Sequence, residues 1–229
     1  MTSSNNKSKP SVMPLDREAW KQQLPLSQFI NTYYQYRDLS KCIGREGNVL
    51  IIGPGAGLDA LVLRWKGYQV TTFDIDEIFS PDVQGSCHEM PMFKSGQFDA
   101  VVVSHVLEHL PVELLDSALN EIARVGRFAI IYLPVAGRHA QISLKPNIRG
   151  KHLGLIVDLF SYWERPKGDQ LNYRFGQHYW EVGYRGFRVK DLIARLENNF
   201  HILQRYRNMD WIPSFNFVVK SRTTTESLL

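Results

Sequence analysis

The sequence predicts an α/β fold: a doubly wound, mostly parallel sheet with helices on both faces and an antiparallel hairpin at its C-terminal edge. Three observations predict it. Four near-continuous apolar runs, "NVLII" (48–52), "YQVTTFDI" (68–75), "FDAVVVSHV" (98–106) and "RFAIIYLPV" (127–135), read as strands buried on both faces. Helical segments alternate with them in the order β-α-β-loop-β-α-β, as a parallel sheet requires. The first run breaks into "GPGAG" and resumes with helix formers, which makes a strand–turn–helix unit.

The remaining elements follow in chain order. Asp16 to about Ser40 reads as helical, in "DREAWKQQL" and, past Pro25, "LSQFINTYYQYRDLSKCI", with Asp16 and Ser27 as candidate N-caps. "LDALVLRWKG" is the first crossover helix, stopped by Gly67. "PVELLDSALNEIARVG" is the second, with Pro111 in its first turn and Gly126 at its end. Residues 137–186 show only two short apolar patches, and so long a connection reads as a lid inserted after the last of these strands. Beyond it, "RVKDLIARLENNF" is a helix, and "HILQRYRNM" with "SFNFVVKS" forms the closing hairpin.

The 229 residues suit one domain, 15–229, behind a polar tail at 1–14 with too little apolar surface to fold. No run reaches the ~18 apolar residues of a membrane span, and the N-terminus has no apolar signal core. Cys42 and Cys87 lack metal-ligand spacing, so reduced thiols, no metal and a cytoplasmic location are expected; the oligomeric state is left open. The net charge of +4 is a mild excess, but it is unevenly spread. Ten Lys and Arg fall within 137–190 (Arg138, Lys145, Arg149, Lys151, Arg165, Lys167, Arg174, Arg185, Arg188, Lys190) against Asp158, Glu164, Asp169 and Glu181. With Tyr162, Trp163, Tyr173 and Phe175 interspersed, that stretch favours an anionic ligand with a ring or sugar face, although a solvated basic surface accounts for the same residues.

The glycines stand at Gly53, Gly55 and Gly57. A dinucleotide turn needs its third glycine at Leu58, and a triphosphate loop needs a Gly-Lys-Ser/Thr run that does not occur. Asp74 ends the second strand, 21 residues after Gly53, where its two oxygens can accept from both ribose hydroxyls of an adenosine. Asp76 reads equally as a loop cap.

Four blocks in this order resemble the class I S-adenosylmethionine (SAM)-dependent methyltransferases of the type 11 group: "VLIIGPGAG", "VTTFDID", "GSCHEMPMFKSGQFDAVVVSHVLEHL" and "IARVGRFAIIYLP". They span about 48–135. The resemblance implies a Rossmann-like sheet, SAM as cofactor, and cofactor contacts from Gly53, Pro54, Gly55, Gly57, Asp74, Ile75, Ser86, Cys87 and Ser104. Two positions depart from the family pattern. Ile51 stands where an acid helps hold the methionine ammonium, and Ser86 follows Gly85 where an acid accepts from the adenine amine. Asp59 or Glu108 is a candidate replacement at the ammonium. The upstream "YYQYRD" resembles helices that close over the cofactor, with Arg37 facing the SAM carboxylate.

The acceptor side is less constrained. The end of the third apolar run, "SHV", carries Ser104 and His105 and lacks the Asn/Asp-Pro-Pro-aromatic run of nucleobase amino-methyltransferases; neither cysteine follows a proline. A nucleic-acid acceptor is therefore not expected. His105 is a candidate base, and His109 reads as part of the fold. In "GQHYWEVG", His178 and Glu181 stand three apart, so one helical turn would make them a His–carboxylate base. The reading is methyl transfer to a small-molecule or glycan or lipid-precursor acceptor. Alternatives are an RNA or protein methyltransferase and an inactive SAM-fold partner.

Overall fold

Strand β1 (Asn48–Ile52) buries both of its faces: Leu50 and Ile52 pack into one layer, Val49 and Ile51 into the other. The same alternation runs through β4 (Phe98–Ser104) and β5 (Gly126–Pro134), so these strands occupy the centre of the sheet. The computed structural model describes residues 24–144, 153–158, 171–173 and 176–223. With β2 (Gln69–Asp74), β3 (Val83–Gln84), β10 (Phe200–Arg207) and β11 (Ser214–Ser221), the sheet order is β10-β11-β5-β4-β1-β2-β3. Strands β1 to β5 run parallel; β11 pairs antiparallel with β5, and β10 with β11.

Helices α1 (Leu26–Ile43) and α2 (Leu58–Trp65) cover the Val49–Ile51 face, through Tyr34, Leu39, Ala60 and Leu63. Helices α3 (Val112–Val125) and α4 (Val189–Glu197) cover the opposite face, through Leu115, Leu119, Ile122, Leu192 and Leu196. Strand order reverses at β1, between β2 and β4, and the crevice outside the carboxyl ends of such strands is where open sheets take ligands.

Three expectations change in detail. Helix α1 starts directly after Pro25, so Ser27 lies inside its first turn and no side chain caps it. The loop after β2 holds a 3₁₀ turn, Glu77–Phe79, and the short β3; Asp76 caps that turn by accepting from the Ile78 N–H at 3.0 Å, which is the loop-cap role. The inserted stretch contains two hairpins, β6 (His139–Leu144) with β7 (Leu153–Asp158), and β8 (Leu171–Tyr173) with β9 (Gly176–His178). The proposed tail at 1–14, the Asp16 cap, six of the ten basic residues, and Tyr162, Trp163 and Phe175 lie outside the described residues. No helix among the described residues is long and apolar enough to cross a membrane.

A buried carboxylate ties α1 to the sheet. Asp38 is fully buried and accepts from the Tyr132 hydroxyl (2.8 Å), the Tyr206 hydroxyl (2.6 Å) and the Arg37 guanidinium (2.8 and 2.9 Å). Burial first, and the adjoining phenol and carboxylate next, push Tyr132 well above the usual tyrosine range, so it remains a donor. The Tyr34 hydroxyl adds a 2.6 Å bond to Asp210 in the β10–β11 turn. Replacing Asp38 by alanine strands two buried hydroxyls and a guanidinium, and Asp38→Ala is expected to lower unfolding free energy by about 3–5 kcal/mol. Urea denaturation measures this, and Asp38→Asn, which keeps one acceptor oxygen, should lose less.

Candidate active site

The glycine turn is shaped by backbone geometry that side chains resist. Gly53, Gly55 and Gly57 all have positive φ, of 70°, 53° and 78°. At Gly53 a Cβ would also come within 2.3 Å of the Val106 methyl Cγ2. The Gly53 N–H donates to the Phe73 carbonyl at 2.9 Å, so the turn is hung from β2 before α2 begins.

Above the turn lies a cleft of ≈ 420 Å³. Its floor is Gly53, Pro54, Ala56, Leu58 and Asp59; Ser104 and His105 form one wall, and α1 with Trp211 closes it. Helix α1 contributes Gln28, Asn31 and Gln35, a polar stripe at i, i+3 and i+7 on an otherwise aromatic helix. The side-chain oxygens of all three are buried without a hydrogen-bond partner. Orphaned acceptors of this kind call for a donor, and they fit an ammonium. Asp59 lies with them at the start of α2 and accepts from the Ala60 N–H at 2.8 Å. Burial pushes its carboxyl up to about 7, against the lowering effect of that backbone bond. Ile51 packs beside Tyr34 and Leu39 in the core, so no side chain from that position reaches the cleft.

The other residues expected at the cofactor follow the carboxyl edge of the sheet. Asp74 ends β2 beside β1 and accepts from the Asp76 N–H at 2.9 Å. Ile75, next to it, is 66% exposed. The Ser86 hydroxyl pairs with His88 Nδ1 at 2.6 Å. The Cys87 side chain is buried in the core, where burial pushes its thiol up to about 12, so any contact from position 87 is left to its backbone. Arg37 does not line the cleft: it pairs with Asp38 and lies over the Tyr34 and Tyr206 rings at 4.2 and 4.9 Å. The polar stripe on α1, of which Gln35 lies within "YYQYRD", lines the cleft where Arg37 was expected.

The histidines gather where β4 ends. His105 takes a left-handed conformation, φ 56°, held by its N–H to the Tyr132 carbonyl at 2.9 Å. Its Nδ1 faces Glu108 Oε1 at 3.6 Å and its Nε2 faces the Ser214 hydroxyl at 3.4 Å. His178 and Glu181 are brought together, with Nδ1 donating to Oε1 at 2.6 Å, but through the end of β9 and a turn, not on a helix. Trp180 between them is fully buried and stacks on Phe187 at 4.8 Å. The Tyr179 N–H donates to the Glu108 carbonyl at 2.8 Å, and the His109 and His178 rings meet edge to face at 4.7 Å. His178 and Glu181 are not among the described residues that line the cleft. Burial alone would raise the Glu108 carboxyl, but His105, His109 and His178 together hold it below the usual glutamate range.

The family model described as a methyltransferase domain matches residues 50–128, the stretch that carries the glycine turn, Asp74 and Glu108. Over these residues the chain matches a methyltransferase domain. No curated protein matches the methyltransferase by sequence. Solved structures of similar fold include a 1,6-didemethyltoxoflavin N1-methyltransferase from Burkholderia thailandensis with S-adenosylhomocysteine (16% identity, TM-score 0.50, 93% of this chain and 92% of that one). A glycopeptide N-methyltransferase complexed with S-adenosylhomocysteine gives 13% identity and TM-score 0.54 over 83% and 90% of the two chains. A SAM-dependent methyltransferase from Methanosarcina mazei gives 15% and 0.52 over 81% and 97%.

The raised Asp59 carboxyl gives the ligand-free methyltransferase a signature in pH. Between about 4 and about 7 the folded chain holds a proton at Asp59 that the unfolded chain releases, so stability falls as pH rises through that window. The loss is expected to be on the order of 1–2 kcal/mol, discounted for partial solvent access. Urea midpoints at pH 5 and pH 8 measure it, and Asp59→Asn should flatten the difference and raise the value at pH 8.

Proposed function

We propose that the methyltransferase acts on a small-molecule or glycan or lipid-precursor acceptor of anionic character, with His105 as the base at the acceptor. The supporting observation is the left-handed His105: a strained histidine at the end of β4 that lines the same cleft as the glycine turn. SAM supplies an electrophilic methyl, so the chain's tasks are to align a nucleophile and, where needed, to take its proton. The Glu108 carboxylate lies 3.6 Å from His105 Nδ1, where its charge would stabilise the imidazolium formed when the ring takes a proton.

On the cofactor side, Gln28, Asn31, Gln35 and Asp59 suit the methionine ammonium in place of the acid missing at Ile51, and Asp74 suits the ribose diol. The exposed Ile75 offers an apolar face to adenine. Pro54, Gly55, Gly57, Ser86 and Ser104 complete the contacts through the turn and the sheet edge. In this reading Arg37 acts at a distance, by holding α1 in place. His178 and Glu181 belong to the acceptor side, where they fasten the inserted stretch to the β4 edge.

Anionic acceptors are supported by Arg138, Arg185, Arg188 and Lys190 among the described residues, and small ones by the cleft's size. Two neighbours of the same fold are named for a 1,6-didemethyltoxoflavin and a glycopeptide acceptor. An RNA acceptor predicts steeply salt-dependent retention of RNA, which filter binding tests directly.

Two substitutions separate the halves of this reading. Asp74→Ala removes two charge-assisted hydrogen bonds and should weaken S-adenosylhomocysteine binding by about 100-fold or more in calorimetry. His105→Ala should leave that affinity within about threefold while turnover of the best acceptor in a panel of phosphorylated and carboxylated compounds falls by about 100-fold or more. Unchanged turnover would take His105 out of the mechanism.

A further inference from the structure

Glu108 has an unusual environment. Its side chain is fully buried and neither carboxylate oxygen has a hydrogen-bond partner. The adjacent His105 nitrogen stops at 3.6 Å, beyond hydrogen-bonding distance. A buried carboxyl group without hydrogen-bond partners is costly unless a cation or a set of donors compensates it. The groups that converge on it are imidazoles: one ligand atom each from Glu108, His109 and His178 lie within 4.8 Å of one another.

We propose that Glu108, His109 and His178 hold a divalent transition-metal ion, with zinc the best match to two imidazoles and one carboxylate. Zinc bonds of about 2.0–2.2 Å draw tetrahedral ligand atoms closer together than the spacing here, a closure that the exposed His109 ring can make by rotation. The surroundings are those of a metal-ligating histidine. The Glu181 carboxylate can only accept, so His178 donates from Nδ1 at 2.6 Å and presents Nε2 as a lone pair. The two chain segments are fixed to each other by the Tyr179 N–H to the Glu108 carbonyl at 2.8 Å, so the ligands are brought together by the backbone. Three protein ligands leave at least one coordination position open, for water or for an acceptor oxygen. Glu181 is on this account a positioning residue. The assignment departs from the metal-free expectation drawn from cysteine spacing, because it rests on one carboxylate and two histidines 69 residues apart in the chain.

The site is tested without turnover. The full chain, stripped with a chelator, is titrated with Zn²⁺, Mn²⁺ and Mg²⁺ by calorimetry, and retained metal is counted after gel filtration. One Zn²⁺ per chain is expected, bound more tightly than Mg²⁺. His109→Ala, at an exposed position, should weaken Zn²⁺ by about 100-fold or more, with ion-free circular dichroism and melting recorded alongside to confirm that the chain is folded; Glu181→Gln should weaken it by about 10–100-fold. Cobalt substitution should give visible d–d absorption that His109→Ala removes. No retained Zn²⁺, a preference for Mg²⁺, or equal Zn²⁺ affinity in His109→Ala would overturn the assignment. S-adenosylhomocysteine affinity should stay the same in His109→Ala, which separates failure at the cation site from failure of the cofactor site.

Discussion

The Asp38 carboxylate is the interaction on which the site depends. Helix α1 precedes the first strand and is not a crossover, so sheet topology alone does not fix where it lies. Asp38 fixes it, by taking hydroxyls from β5 and β10 and the guanidinium of its own neighbour. From that anchor, one and two turns towards the N-terminus, the same helix sets Gln35 and Asn31 over the glycine turn. The Tyr34–Asp210 bond draws the β10–β11 turn inward, and Trp211 follows into the cleft wall. The roof of a cofactor cleft is thus held by a buried charge network, whose hydrogen bonds have fixed directions and so specify one docking angle where apolar packing alone would tolerate several.

This explains what was legible and what was not. The central strands could be read from sequence because burial on both faces leaves an uninterrupted apolar run, and "NVLII" and "SFNFVVKS" match β1 and β11 residue for residue. The glycine turn was legible because positive φ at three alternating positions demands glycine. Arg37 marked the right helix, but adjacent helical residues point about 100° apart, and that rotation is set by Asp38 beside it. With Arg37 turned to Asp38, Tyr34 and Tyr206, the cleft receives Gln28, Asn31 and Gln35. Uncharged amides carry little signal in a single sequence.

His178 and Glu181 show a different division. Their proximity was readable from a spacing of three, but the geometry that produces it was not. A helix would have put both on a solvent-facing turn. Instead the chain leaves β9 and turns inward, burying Trp180 against Phe187. That packing couples a structural and a polar role in four consecutive residues: the indole anchors the segment, and the His–Glu pair is carried to Glu108 as a consequence. His109, read as part of the fold, is an exposed ring that meets His178 edge to face in the same cluster.

On the proposed reading, the cleft and the cluster behind His105 use charge in opposite ways. In the cleft, Ile51 offers no carboxylate, and amide oxygens with Asp59, whose carboxyl burial pushes up to about 7, take the place of one. Such acceptors hold an ammonium less firmly than a full negative charge does. At the β4 end, charge is concentrated: a buried Glu108 ringed by His105, His109 and His178. Only interactions that strengthen in the transition state raise the chemical rate; equal holding of ground and transition states lowers KM alone. The methionine ammonium is remote from the methyl that moves, so a weaker grip there costs affinity and leaves the barrier of the bound complex nearly untouched. On the proposed reading, the polar groups beside the reacting atoms are those the fold has kept and buried. Ile51 is on this argument a change in cofactor affinity, compatible with an active enzyme.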